Sequence, residues 1–204
     1  MTNRDHPGHY SESRLGRAWI CFYGARVIGF LRFVGMLNAA VWLGAALFFA
    51  AGAAPALASR DVHALFHEQY FDYLSGAVSQ VVATRYFYWH IVCAIIALLH
   101  VLAEWLYLGR AAPRVCLGLL CGLLASGLIG NAWLVPKLAQ LHRTRHALNL
   151  KAEYRQAAAE SFQSWHTVFQ SLNLLIIGGV AIYFWRVTSP SDPPRFVSPN
   201  KFRS

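Results

Sequence analysis

The stretch Tyr86–Gly109, YFYWHIVCAIIALLHVLAEWLYLG, decides how the rest of the chain is read. It runs for about 24 residues, enough at about 1.5 Å per residue to cross a hydrocarbon core of about 30 Å. Aromatic rings gather at both ends, Tyr86, Phe87, Tyr88 and Trp89 at one and Trp105 and Tyr107 at the other. Such belts form where amphipathic rings sit at the two headgroup levels. His90, Cys93, His100 and Glu104 interrupt the apolar rod, and at about 100° per residue they share roughly one face. A polar face on a membrane helix points at protein, ligand or water, because facing lipid costs too much.

Composition agrees with a membrane chain. Apolar residues make up 56% of the 204 and charged residues 13%, against about 25% charged in soluble domains. The net charge of +9 would suit nucleic acid if the basic residues formed one patch. They instead flank the apolar segments, where they anchor and orient helices, so the expected partner is the lipid bilayer and not nucleic acid. Cys21, Cys93, Cys116 and Cys121 show no CxxC spacing, which argues against a disulfide framework or a zinc site.

Outward from the central stretch, the expected fold is all-α, an integral membrane four-helix bundle with short interfacial helices and a disordered C-terminal tail. Residues 1–17 read as a mobile, uncleaved N-terminal tail, because no short apolar run with a small-residue cleavage site occurs there. The membrane domain covers 18–186, opening on an amphipathic lead-in at 18–28. Its four spans lie at about 27–54, 86–109, 115–135 and 162–185. Pro55 is expected to end the first span and Pro136 the third. Residues 59–73 read as an interfacial helix with Asp61 near its cap, a second helix begins near Gly76, and 137–160 reads as helix outside the bilayer. Residues 187–204 hold four prolines and read as disordered. With four spans both termini share a side. That side carries eleven Lys and Arg against seven on the other, so both termini are expected in the cytoplasm of a bacterial inner membrane.

Several residues are candidates for chemistry. His90 and His166 each fall about four residues inside one end of a span running the same way, so they are expected at matched depth. Gln163, His166, Thr167, Gln170 and Asn173 form a stripe, and Asn131 of the third span ends nearby. Two imidazoles with amide and hydroxyl neighbours suit haem b or a transition metal, since neutral imidazole binds such centres. The plainer alternative is that His90, Asn131, His166 and Gln170 hydrogen-bond one another and lock the helices. His100 and Glu104, one turn apart, suggest a proton or cation relay or a snorkelling carboxylate. The pairs His63/His67 and His142/His146 have metal-grip spacing on a helix, with Glu68 beside them, but Arg143 and Arg145 oppose a cation. No nucleophile elbow, phosphate loop, HExxH or paired-carboxylate motif occurs, so no enzyme is expected.

The strings LNAAVWLGAALFFAAGAAPALAS, RYFYWHIVCAI, GNAWLVPKL and FQSWHTVFQSLNLL resemble the transmembrane-protein-205-like family, whose bacterial members carry a DUF4149-like domain of unknown function. The likeness covers about residues 35–180. It rests on Gly44 and Pro55 in the first span, Asn131, Trp133 and Pro136 at the exit of the third, and His166, Ser171 and Asn173 on the fourth. It implies four membrane helices without a soluble catalytic domain. The leading expectation is a non-enzymatic haem- or metal-binding membrane protein built on His90 and His166. The alternatives are an accessory subunit of a larger membrane complex and a small oligomeric transporter.

Overall fold

The computed structural model describes residues 12–57, 59–65, 68–108 and 114–189, with side chains over 29–57, 59–65, 70–106 and 114–189. The elements are α1 (Glu12–Phe48), a π-turn (Phe49–Ala53), α2 (Ala54–Leu57), α3 (Arg60–Leu65), α4 (Glu68–Leu108), α5 (Arg114–Ile129), a second π-turn (Gly130–Leu134), α6 (Val135–Arg145) and α7 (Ala152–Thr188). No strand occurs among the described residues. Four segments are long and apolar enough to cross a membrane: Gly29–Leu57, Tyr70–Leu106, Arg114–Arg145 and Ala152–Thr188. They form an up-down bundle. The first rod packs on the second and fourth, and the third likewise packs on the second and fourth. One end carries the start of α1 and the end of α7; the other carries α3 and the 146–151 connection.

The helices run further than the hydropathy pattern suggested, and two prolines explain why. Pro55 and Pro136 were expected as stops, since proline lacks an N–H and its ring clashes with the carbonyl of the preceding turn. Each instead sits two residues past a π-turn, Phe49–Ala53 or Gly130–Leu134. The wider turn moves the preceding carbonyls aside, so the helix continues through the proline. The third rod therefore reaches Arg145, and 137–160 is not one helix: it divides at 146–151.

Other boundaries shift too. α4 begins at Glu68 rather than near Gly76, leaving only α3 of the expected interfacial helix. Ser59 caps α3, its Oγ accepting from the Val62 N–H at 3.3 Å, and Asp61 lies beside that cap in the first turn, as expected. Residues 12–17, expected in a mobile tail, open α1. The rest of that tail, and all of the prolyl tail beyond Ser189, lie outside the described residues.

Lipid is as apolar as a protein interior, so burying leucines does not hold such a bundle together; close packing and interhelical hydrogen bonds do. The largest buried side chains are Trp42, Tyr183, Phe87, Leu120 and Leu134. Among the described residues six hydrogen bonds run from α4 to the other rods. Asn38 Nδ2 donates to the Cys93 carbonyl at 3.1 Å, Trp42 Nε1 to His90 Nδ1 at 3.0 Å and Tyr86 Oη to Asn173 Oδ1 at 2.8 Å. The other three are made by the imidazoles of His90, His100 and His142. Five of the six fall in the stretch read first in the sequence, and the sixth, at Tyr73, lies further back on the same helix.

Candidate functional site

The three buried histidines share one construction. His90 Nε2 donates to the Leu123 carbonyl at 2.8 Å, His100 Nε2 to Leu31 at 2.9 Å and His142 Nε2 to Tyr73 at 3.1 Å. Each ring lies over a glycine three or four residues further along the neighbouring helix. A Cβ on Gly127 would meet His90 at 2.5 Å, and one on Gly35 would meet His100 at 2.5 Å. A Cβ on Gly76 would collide with His142. The missing side chain opens the groove through which imidazole reaches a carbonyl of the preceding turn. A carbonyl accepts and never donates, so Nε2 carries the hydrogen in all three rings.

His90 is completely buried, and both of its nitrogens are used. Nδ1 accepts from the Trp42 indole, whose ring lies 5.1 Å away edge-on. With Tyr86 at 6.3 Å, His90 joins the first three rods at the centre of the bundle. The site missed in the sequence is Trp42. A tryptophan far from the headgroup belts, with an N–H that must find an acceptor, was the signal that could have found it.

His166 does not join this centre. Phe169 packs 5.8 Å from Phe87 and fixes the relative level of α4 and α7. Both helices run the same way, so His90, three residues beyond Phe87, and His166, three residues short of Phe169, lie about 9 Å apart along the axis. His166 is also exposed, stacked between Phe162 and Phe169. The inward face of α7 is Phe169, Asn173, Ile176, Val180 and Tyr183. The expected polar stripe meets it only at Asn173, while Gln163, Thr167 and Gln170 are exposed and Asn131 is half-buried. These residues do not fit a group held between His90 and His166, because one ring has no nitrogen to give and the other faces outward.

The remaining candidates separate as well. His100 Nε2 lies 3.9 Å from the partly exposed Glu104 carboxylate, with its shorter bond to Leu31, which is a packing contact with a snorkelling acid beside it. His142 and His146 approach to 4.8 Å between ring centres, with Tyr73 against both. Yet His142 Nε2 is committed to Tyr73, and His146 Nε2 accepts from Arg145 Nε at 3.0 Å. Burial, then the Arg145 charge, lower the affinity of His146 for a proton. His63 packs on Phe71, and His67 and the Glu68 side chain lie outside the described residues. Among the described residues no group of three or more His, Cys, Asp or Glu is placed to hold a metal ion.

The model of a family described as Domain of unknown function (DUF4149) matches residues 37–147. The chain belongs to the DUF4149 family. The matched part of this DUF4149 protein holds Trp42, His90, His100, Gly127 and His142, and it ends before α7 and His166. No curated protein and no solved structure matches the chain.

Proposed function

We propose that this DUF4149 protein is a non-enzymatic accessory subunit, a rigid membrane bundle that associates laterally with another membrane helix. The observation that carries this reading is the outward face of α5. Gly118, Cys121, Gly122 and Ala125 are exposed there, and a Cβ on Gly118 or Gly122 would meet nothing within 4 Å. Gly-x-x-x-Gly on a lipid-facing helix admits a second backbone closely, and close packing drives helix association in lipid. The histidine locks support the same reading, since they join neighbouring rods and leave the relay proposed for His100 and Glu104 tied to backbone. The Lys and Arg distribution favours an inner membrane with both termini in the cytoplasm.

Mildly solubilised membranes run on a native gel test it. The wild type is expected above the 22.8 kDa monomer, and Gly122→Leu is expected to shift it to the monomer position. Leucine has open space at that position within the chain, so loss of folding is not the expected effect. Oxidative cross-linking through Cys121 then separates a second copy, at twice the monomer mass, from a different protein. A wild type that migrates as a monomer, or a Gly122→Leu variant that migrates unchanged, overturns the reading.

A further inference from the structure

Two of the buried polar atoms left without a partner lie side by side in one cleft. His142 spends Nε2–H on the Tyr73 carbonyl, so Nδ1 holds a bare lone pair, and it is buried without a partner. The Gln80 side-chain N–H group is likewise buried without a partner. Both residues line the same cleft of about 350 Å³, bounded among the described residues by α4 and α6. Its walls are Ala77, Val81, Val135 and Ala139, and Arg143 stands exposed at its rim. No carboxylate among the described residues lies within ion-pair distance of Arg143.

The cleft has a definite level. Its inner end, at Thr84 and Val135, lies towards the middle of the second and third rods. From there it extends about 16 Å along α4 to Tyr73, within the apolar segments Tyr70–Leu106 and Arg114–Arg145 and towards the end of the bundle that carries α3. Val81 and Val135 therefore lie nearer the acyl chains, and His142 and Arg143 lie nearer the end of the rods.

We infer that this cleft binds the headgroup of an anionic phospholipid carrying a free hydroxyl, of the phosphatidylglycerol type. A headgroup hydroxyl donates to His142 Nδ1, a phosphate or glycerol oxygen accepts from Gln80 Nε2, and the phosphate charge faces Arg143. The acyl chains start along Val81 and Val135 and leave sideways into the bilayer. This face is separate from the Gly118–Gly122 face, so the two readings stand or fall independently.

The test is thermal unfolding of the full chain in a neutral detergent, with dioleoylphosphatidylglycerol, dioleoylphosphatidylcholine or sn-glycerol 3-phosphate added. A ligand that binds only the folded state raises the midpoint as its concentration passes its dissociation constant. Phosphatidylglycerol is expected to raise the midpoint by several degrees, and the other two are not. Gln80→Leu and Arg143→Gln are expected to unfold at the wild-type midpoint without lipid, since neither group has a partner to lose, and each is expected to weaken the phosphatidylglycerol response about tenfold in concentration. An equal response to phosphatidylcholine, an equal response to sn-glycerol 3-phosphate without acyl chains, or an undiminished response in both variants overturns the assignment.

Discussion

The indole nitrogen of Trp42 lies 3.0 Å from Nδ1 of His90, and the opposite nitrogen of that ring lies 2.8 Å from the Leu123 carbonyl. One imidazole thus holds three helices in a line of two hydrogen bonds, and its tautomer is set from both sides. Trp42→Phe keeps most of the aromatic volume and leaves Nδ1 without a donor. The expected loss is about 1–2 kcal/mol in reversible unfolding in detergent. An unchanged stability would show that the indole donor contributes nothing.

The glycines beneath the rings make a sharper contrast. At Gly127 an added methyl meets His90 at 2.5 Å and Ile91 at 3.0 Å, whereas at Gly44 it meets nothing within 4 Å. Gly127→Ala is expected to destabilise by about 1–3 kcal/mol through overpacking. Gly44→Ala is expected to be neutral or to stabilise by about 0.4–1 kcal/mol, by restricting the unfolded chain. Unfolding of the two variants side by side checks this, and equal effects would remove the groove argument.

Tyr86 and Asn173 carry the hydrogen bond from α4 to α7, at 2.8 Å. A double-mutant cycle of Tyr86→Phe and Asn173→Ala is expected to give a coupling of about 0.6 kcal/mol, the scale of interhelical hydrogen bonds in lipid. A coupling of zero would mean the contact is incidental.

The placement of His166 predicts a spectroscopic result. Haemin added to the purified protein is expected to give no low-spin bis-imidazole spectrum. His166→Ala is expected to change stability by less than about 0.5 kcal/mol, as an exposed substitution does. A Soret band that disappears in the His166→Ala variant would show that α7 rotates to bring that ring inside.

His146 predicts a pH dependence. Burial first, then Arg145 and His142, hold its proton affinity below the ordinary value of 6.5, against a smaller opposing effect of Asp72. The unfolded chain therefore takes up this proton first, so the contribution is complete above about pH 6.5 and is lost as pH falls towards the folded value. Unfolding midpoints measured from pH 7 to pH 5 are expected to fall, and less steeply in His146→Gln. An identical slope would place the dependence on the other histidines.

The spans and the central role of residues 86–109 were legible because each is a local property, a run of apolar residues with belts at its ends. The His90 site was half legible. Burial of the ring followed from its position in the rod, but its partners depend on which helices adjoin and at what level. Depth was the point of failure. Counting from the ends of the spans set His90 and His166 level, whereas the Phe87–Phe169 contact offsets them. The stripe on α7 failed for an angular reason: Gln163, His166, Thr167 and Gln170 project beside the face that Phe169, Asn173 and Ile176 turn inward. Gly35, Gly76 and Gly127 looked like ordinary small residues because their purpose belongs to a ring on another helix.

The π-turn at Gly130–Leu134 has one more effect. A wide turn is one residue inserted into a regular helix, so it advances everything after it by about 100° around the axis. Leu123 and Gly127 before it and Leu138 and His142 after it nevertheless all face inward. Deleting a single residue from 130–134 would restore an ordinary turn and swing His142 a quarter of a revolution or more away from Tyr73, leaving the lower bundle in place. That short segment acts as a phase adjuster, setting how the far half of the rod is dialled against its neighbour.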